Sequence, residues 1–400
     1  MFLTGHEAFD WGTGTIDASV SGPAGFPAYG TRHPSRREAD FVLRRMTNVL
    51  REYGTDLSHA IRLDQYYPNP RAVAAYHLSR HDNFGDYIPP STSVVMERLF
   101  GASSTISTSL VAVMPEPGRE IRKVYPLGVA STPTSGFVPA VVCDEFVFVA
   151  GQMAHNPGTG LDPRAAVPDH AAWAGIPIRR QTEFLIEHKL KPALEAAGSA
   201  LGQSIKAQIY LADIADAGLP RGMERALRRY SVRPDGNADQ IVRDSGRHHR
   251  DQSDCARQRR EAQKGGDRGR SPRNGRLWAA PQGRRILAAV WSDGGRQRWP
   301  HHRQRCLVLL RQSRARGYTR AAALYRYVEA LCHAAGTAMD RLLRAQYFVA
   351  DVAAFSGIAT AWSSRYSTQP HPFLCVQTPS PMPAPGCALI GDCWISIATP

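Results

Sequence analysis

Cysteine is scarce in this chain of 400 residues, and the seven present form no Cys-x-x-Cys pair and no regular spacing. That pattern excludes a disulfide scaffold or a zinc ribbon and fits a reducing compartment, so a cytoplasmic protein is expected. Apolar runs are short. None approaches the roughly 20 residues that a membrane-spanning helix needs, and no membrane partner is expected. The opening Met1-Phe2-Leu3-Thr4-Gly5 lacks the basic flank and long apolar core of a signal peptide. Acidic residues are also short, 35 against 49 Lys and Arg, which leaves a formal net charge of +14. The length leads one to expect about two or three domains, with enough chain to bury a core.

An excess of positive charge ordinarily points to nucleic acid or an anionic surface, but here it is concentrated. Between Arg233 and Arg316 there are 20 Arg and 1 Lys against 8 acids, whereas the other residues carry 28 bases and 27 acids. The Arg-rich span includes Arg257-Gln258-Arg259-Arg260 and Gly265-Gly266-Asp267-Arg268-Gly269-Arg270 and sustains neither a period of 2 nor one of 3.6. It reads either as a basic RNA-binding linker or as an interruption of something more regular.

The rest of the chain repeats itself. Gly54-Thr55-Asp56-Leu57 is followed by Arg62, Gln65 and Tyr66; Gly198-Ser199-Ala200-Leu201 by Lys206, Ile209 and Tyr210; Gly336-Thr337-Ala338-Met339 by Arg344, Tyr347 and Phe348. Offsets of 144 and then 138 positions superpose the three without a gap. Each Gly follows a helix-like segment, with Val42, Met46, Val49 and Leu50 on one face of the first and Leu324, Val328, Leu331 and Ala335 on one face of the third. The Gly suits the left-handed position past a helix C-terminus. A strand follows each time, through Ile61, Leu63 and Gln65, through Ala207, Ile209 and Leu211, or through Ala345, Tyr347 and Val349. Upstream, Met1–His6 and Phe146–Gln152 read as strands, and Gly12-Thr13-Gly14 reads as a hairpin turn rather than a phosphate loop. Downstream, strands are expected at Thr92–Met96 paired with Ser107–Val113, and at Phe373–Val376 paired with Leu389–Ile397. The unit is an α+β arrangement of strand, turn, helix, strand, helix, strand, strand.

Phe148-Val149-Ala150-Gly151-Gln152, Pro157-Gly158-Thr159-Gly160, Leu194-Glu195-Ala196-Ala197-Gly198-Ser199 and Ile209-Tyr210-Leu211-Ala212-Asp213, in that order, resemble the RidA/YjgF family. The resemblance implies tandem chorismate-mutase-like domains, each a sheet with two helices on one face. It also implies hydrolysis of enamines and imines to ketones plus ammonia, in clefts between subunits of a trimer. Three copies in one chain imply an intramolecular pseudo-trimer, with a homo-oligomer as the other arrangement. The copies are placed at residues 1–113, with the first strand missing, at 128–232, with the last strands missing, and at 317–400, which holds a C-terminal half. The Arg-rich span 233–316 lies where copies two and three lose their pattern, and it is expected to be an aberrant or disordered segment read out of frame. Codons permitted by Gly246–Asp254, read from the second base, give Gly-Asp-Ile-Thr-Ala-Ile-Asn-Leu, a plausible closing strand; those for Val290–Asp293 give Ser-Gly-Gln.

The resemblance also implies substrate-binding slots. His6 stands for the Gln of the second strand, Thr92 for the Arg that clamps a substrate carboxylate, and Ser107 for the acid. In copy two Phe137 stands where a Tyr is expected, ahead of Gly151 and Gln152. In copy three Phe373 holds the Arg slot, two residues before Cys375. No copy shows the full catalytic set, and Thr cannot replace a clamp, because a neutral hydroxyl gives one weak hydrogen bond in place of a charge-assisted pair. Two readings therefore stand: an enamine/imine deaminase or related hydrolase of a small carboxylated metabolite, and a non-catalytic small-ligand-binding or inactive protein. An RNA-binding, endoribonuclease-like role is third and rests mainly on the Arg-rich span, so nucleic acid is not the expected partner. His248-His249 and His301-His302 lack partners at ligand spacing, and neither a metal nor another cofactor is expected. Cys375, Cys387 and Cys393 read as small buried apolar residues. Asp64, among apolar strand residues, reads as a surface or interface group, and Tyr66-Tyr67-Pro68-Asn69-Pro70 as a strand end and turn.

Overall fold

The computed structural model describes residues 1–21, 33–129, 131, 134–156, 160–168, 170, 177–213, 216, 285–292, 309–382 and 386–397. The fold is mixed α+β with several small sheets. In the N-terminal part the order is β1 (Phe2–His6), the hairpin β2 (Phe9–Asp10) and β3 (Thr15–Ile16), α1 (Ala18–Ser21), α2 (Pro34–Glu52), β4 (Ala60–Tyr67), α3 (Arg71–Phe84), β5 (Ser91–Val95), β6 (Arg98–Leu99) and β7 (Ser107–Ala112). The sheet runs β1-β7-β4-β5. Helix α2 buries Ala39, Val42, Leu43, Met46 and Leu50, one stripe at 3–4 residue spacing, against Leu63, Leu110 and Ala112 of the sheet.

The strands expected to pair with each other do not. β4 lies between β5, to which it is parallel, and β7, to which it is antiparallel. The helix α3 explains this, because a strand–helix–strand crossover brings the second strand back parallel to the first.

The middle part contains a sheet of β8 (Arg122–Val124), β9 (Ala140–Cys143) and β10 (Phe146–Val149), the hairpin β11 (His155–Asn156) and β12 (Gly160–Leu161), and the helices α4 (Pro177–Leu185) and α5 (Lys191–Ala196). A π turn over Ile186–Leu190 separates the two helices. Pro192 has no amide hydrogen to give the preceding turn, which is where such a helix opens. The expected strand through Ala207, Ile209 and Leu211 does not form, and residues 204–211 have no regular structure. Its counterpart β4 is held by a neighbour on each side, whereas no strand among the described residues pairs with 204–211. An unpaired strand gains nothing over hydrated backbone.

The C-terminal part repeats the first topology: β13 (Arg285–Ser292), α6 (Leu309–Ala334), β14 (Leu342–Val349), α7 (Phe355–Ser363), β15 (Phe373–Gln377) and β16 (Leu389–Ile397), in the order β13-β16-β14-β15 with β6 added at the edge. Here too β14 separates the pair expected to be adjacent, being parallel to β15 and antiparallel to β16. Two stretches of the Arg-rich span have regular structure: Arg285–Ser292 pairs along β16 as β1 pairs along β7, and α6 begins at Leu309. The paired histidines at 248–249 and 301–302 lie outside the described residues.

All three repeat glycines end helices in the same way. Gly54, Gly198 and Gly336 have φ of +78°, +81° and +70°. Each sits in a Schellman motif: Thr55 N–H bonds the Leu50 carbonyl at 3.0 Å, Ser199 the Leu194 carbonyl at 2.8 Å and Thr337 the Cys332 carbonyl at 2.9 Å.

Positions equivalent under the 144 and 138 offsets also meet in space. Arg62 and Arg344 both reach Asp64, at 2.8 and 2.7 Å, and Lys206 pairs with Asp392 beside them. Burial by itself would push Asp64 up, but the charges of Arg62 and Arg344 outweigh it and hold the carboxyl at about 2. Next to this network Tyr66 and Tyr210 are joined hydroxyl to hydroxyl at 3.0 Å, with the Phe348 ring 6.1 and 6.3 Å from the two tyrosine rings. Asp64 is thus an interface residue.

Candidate functional site in the cleft between the first and last sheets

The edge strand β1 of the first sheet runs close to β15 of the last, and Gly5 permits the approach. Its φ is +65°, at an irregularity in the β1–β7 register, and a Cβ there would stand 2.4 Å from the Phe373 carbonyl oxygen. Beside this contact opens a cavity of about 540 Å³. It brings together His6 and Cys375, which the sequence placed in different copies, along with Phe373 in the vacant Arg slot.

The charged and titratable groups around it are unequal. Glu7, just past β1, is 7% exposed. Its carboxylate accepts the Gly101 N–H at 2.8 Å. Burial pushes its pKa up to about 7, against the pull of Gly101, Ser104 and Ser107 and reinforced by the nearby Glu38 carboxylate. Ser104 and Ser107 are buried beside it. The sequence assigned Ser107 to the acid slot; the structure puts an acid there from β1's end, which no motif marked.

Burial, and secondarily Arg45, lowers His6 to about 4, so its imidazole is neutral at ordinary pH. Burial likewise lowers His371 to about 3; its Nε2 lies 2.7 Å from the Tyr347 hydroxyl and its ring stacks on Trp362 at 4.4 Å. Burial, and then the charge of Glu7, raises the Cys375 thiol, which is therefore a protonated wall group rather than a thiolate. Phe9, Trp11, Phe100 and Phe373 form an aromatic wall with centroids 5.2–6.2 Å apart in successive pairs. Arg45 of α2, an exposed cation, lines the mouth.

The other predicted residues gather at a second seam, between β5 and the middle part. Gly151 N–H bonds the Ser91 carbonyl at 2.9 Å, and Phe137 bridges Ile88. Thr92 receives Arg62 Nη2 at 2.5 Å, and Arg62 Nη1 reaches the Val149 carbonyl at 2.7 Å. A Cβ on Gly151 would stand 2.7 Å from Thr92 Oγ1, so this seam is packed shut at that point. Gln152 folds back on the Ala150 carbonyl at 3.4 Å. The buried Arg80 reaches the Ser91 hydroxyl at 3.0 Å and the Ser135 carbonyl.

Among the described residues no three His, Cys, Asp or Glu side chains group as metal ligands, and no helix is long and apolar enough to cross a membrane.

No family model matches the chain. Over 87 residues, 22% of this chain, it is 32% identical to a RutC family protein of Pyrococcus abyssi, of whose length it spans 59%. Among solved structures, a candidate endoribonuclease from Klebsiella pneumoniae overlaps 28% of this chain and 92% of its own at 22% identity and a TM-score of 0.25. RidA from a Psychrobacter species overlaps 28% and 79% at 13% identity and a TM-score of 0.22. A YjgF family member from Neisseria meningitidis overlaps 29% and 79% at 16% identity and the same TM-score of 0.22. Overlaps at these scores settle nothing about the chain as a whole. A RutC-like relationship to the RidA/YjgF family is therefore supported over about a fifth of the chain.

Proposed function

We propose that the chain is a RidA-like hydrolase that converts an enamine or imine of a small carboxylated metabolite to a ketone and ammonia in the cleft between β1 and β15. The observation that carries this reading is the 540 Å³ cavity in which the buried Glu7 carboxyl, the Arg45 cation and an aromatic wall converge. Arg45 is the group placed to attract a substrate carboxylate, in place of the clamp lost at Thr92 and Phe373. The neutral His6 can donate or accept one hydrogen bond to orient the bound molecule. Ammonia release from 2-aminoacrylate generated in situ tests the reading, and no rate above buffer refutes it.

A second reading is favoured by one specific observation: Phe373 fills the Arg slot with an apolar ring. A cleft so altered would bind a 2-oxo acid without turning over its imine. Calorimetric titration with pyruvate, together with absent turnover, distinguishes the two.

The architecture that goes with either reading is three tandem copies closed into a pseudo-trimer. It is supported by the meeting of Arg62, Lys206 and Arg344, and of Tyr66, Tyr210 and Phe348, residues equivalent by sequence offset. Small-angle scattering that showed three separated bodies would refute it. An RNA-directed role would require salt-sensitive binding that vanishes on removing the Arg-rich span.

A further inference from the structure

Among the described residues Glu7 is the sole carboxylate lining the cavity, and nothing in the sequence marked it. Three elements hold it: Gly101 N–H fixes one carboxylate oxygen at 2.8 Å, Ser104 packs over Gly101, and Ser107 of β7 lies alongside. A Cβ at Gly101 would stand 2.8 Å from Glu7 Oε2, so the Gly101 backbone lies directly against the carboxyl, while Glu7 itself lines the cavity. Among the described residues no Lys or Arg forms an ion pair with it; its titratable neighbours are Glu38 on α2 and, across the seam, the thiol of Cys375 on β15, with Arg45 and His6 on the cavity wall. Ser104 and Ser107 favour the ionised carboxylate from the buried side, and the Thr4 hydroxyl, on a residue lining the cavity, is buried without an aligned partner.

We propose that Glu7 is the proton-transferring group of this cleft. The assignment rests on the hydrolase reading above. As carboxylate, Glu7 takes a proton from the water whose oxygen bonds to the imine carbon. As carboxylic acid, it returns that proton to the nitrogen to give a carbinolamine; it then moves the carbinol hydroxyl proton to the same nitrogen, the C–N bond breaks as the C=O bond forms, and ammonia leaves with a ketone behind. One water is consumed, one ammonia is released, and nothing is oxidised or reduced. The alternatives on the wall are poorer. His6 and His371 are bases too weak to hold a proton at neutral pH, and the Cys375 thiol stays protonated. Glu7 changes charge near neutrality, which is where a proton carrier works in both directions; the Met1 amino group, which burial lowers from 8.0, is tied to the Ala112 carbonyl. Ser107 is a positioning residue, acting through Glu7.

The test uses the full chain and 2-aminoacrylate generated in situ. Glu7→Gln should lower kcat by roughly 10²- to 10⁴-fold with little change in KM, and should abolish the rising limb of kcat/KM near pH 7. Ser107→Ala, which removes a group that favours the ionised carboxylate, should move that limb to higher pH, a displacement that a purely structural role would not produce. Circular dichroism spectra matching wild type establish that both variants fold. Wild-type kcat and an unchanged limb in Glu7→Gln overturn this assignment alone. No wild-type turnover above buffer overturns the hydrolase reading and the assignment with it.

Discussion

Glu7→Gln has a second consequence, on stability, that can be worked out independently of catalysis. The folded chain holds the Glu7 carboxyl at about 7, whereas the ordinary value is 4.5. Between those limits the native state binds more protons than the unfolded state. Stability therefore declines as pH rises through that window, and the contribution present below 4.5 is gone above about 7. Each decade of proton affinity is about 1.4 kcal/mol, so the full effect is on the order of 3 kcal/mol. Glutamine carries no charge at any of these pH values. Its carbonyl can still accept the Gly101 N–H, so its own penalty is about 1 kcal/mol and does not vary with pH. The variant should thus gain roughly 2–3 kcal/mol on the wild type between pH 5 and pH 8. Denaturant midpoints of both proteins at pH 5, 6, 7 and 8 measure this. Comparing the two cancels His6, His77 and His371, whose lowered values of about 4, 4 and 3 make their contributions fade on the acid side, as pH falls below 6.5. A difference between the proteins that stays constant from pH 5 to pH 8 would refute the burial argument.

Three further outcomes are expected. Gly5→Ala places a Cβ 2.4 Å from the Phe373 carbonyl at a φ of +65°, and should cost about 1–3 kcal/mol while weakening pyruvate binding in the cleft; unchanged thermal stability and affinity would count against the close approach. Asp64→Ala leaves Arg62 and Arg344 without their shared carboxylate and should destabilise by about 3–5 kcal/mol. Because Asp64 is held at about 2 rather than 3.8, the wild type should lose this contribution as pH falls below 3.8, a loss the variant lacks, as acid-unfolding curves would show. Finally, coding DNA for residues 233–316, read one base on, should carry the missing strands without a stop codon; stops in that frame would end the out-of-frame account.

Much of the local structure was legible in the sequence. The apolar stripe of α2, the helix-ending glycines and the β2–β3 hairpin around Gly12-Thr13-Gly14 depend on neighbours a few residues away, and all are as expected. Strand pairing was not legible in the same way. The expectation joined β5 to β7 because they are consecutive, but α3 returns β5 parallel to β4, which takes the place between them. Residues 207–211 show the converse, a sequence with strand character whose described surroundings offer no partner.

The site divides along the same line. Motif position singled out His6, Thr92, Ser107, Phe137, Gly151, Gln152 and Cys375, and the structure sorts them into an open cleft with His6 and Cys375, Ser107 behind its wall, and a closed seam with the rest. Thr92 is taken up by Arg62, a residue of the neighbouring strand β4, which no local pattern could announce. Glu7 carries no motif at all. Its proton affinity comes from burial, with the Glu38 carboxylate adding to it and the distant Gly101 N–H opposing it, so it exists only once β1, α2 and the loop at Gly101 have come together.

By itself the sequence determined the repeat, the concentration of positive charge in one span, and the helices and turns within each unit, because caps, turns and apolar periodicity are short-range properties of the chain. Only the tertiary structure decided which strands are neighbours, which of two seams stays open, and which carboxyl has its proton affinity raised by burial, because packing and dielectric environment are set by atoms that sequence distance does not order.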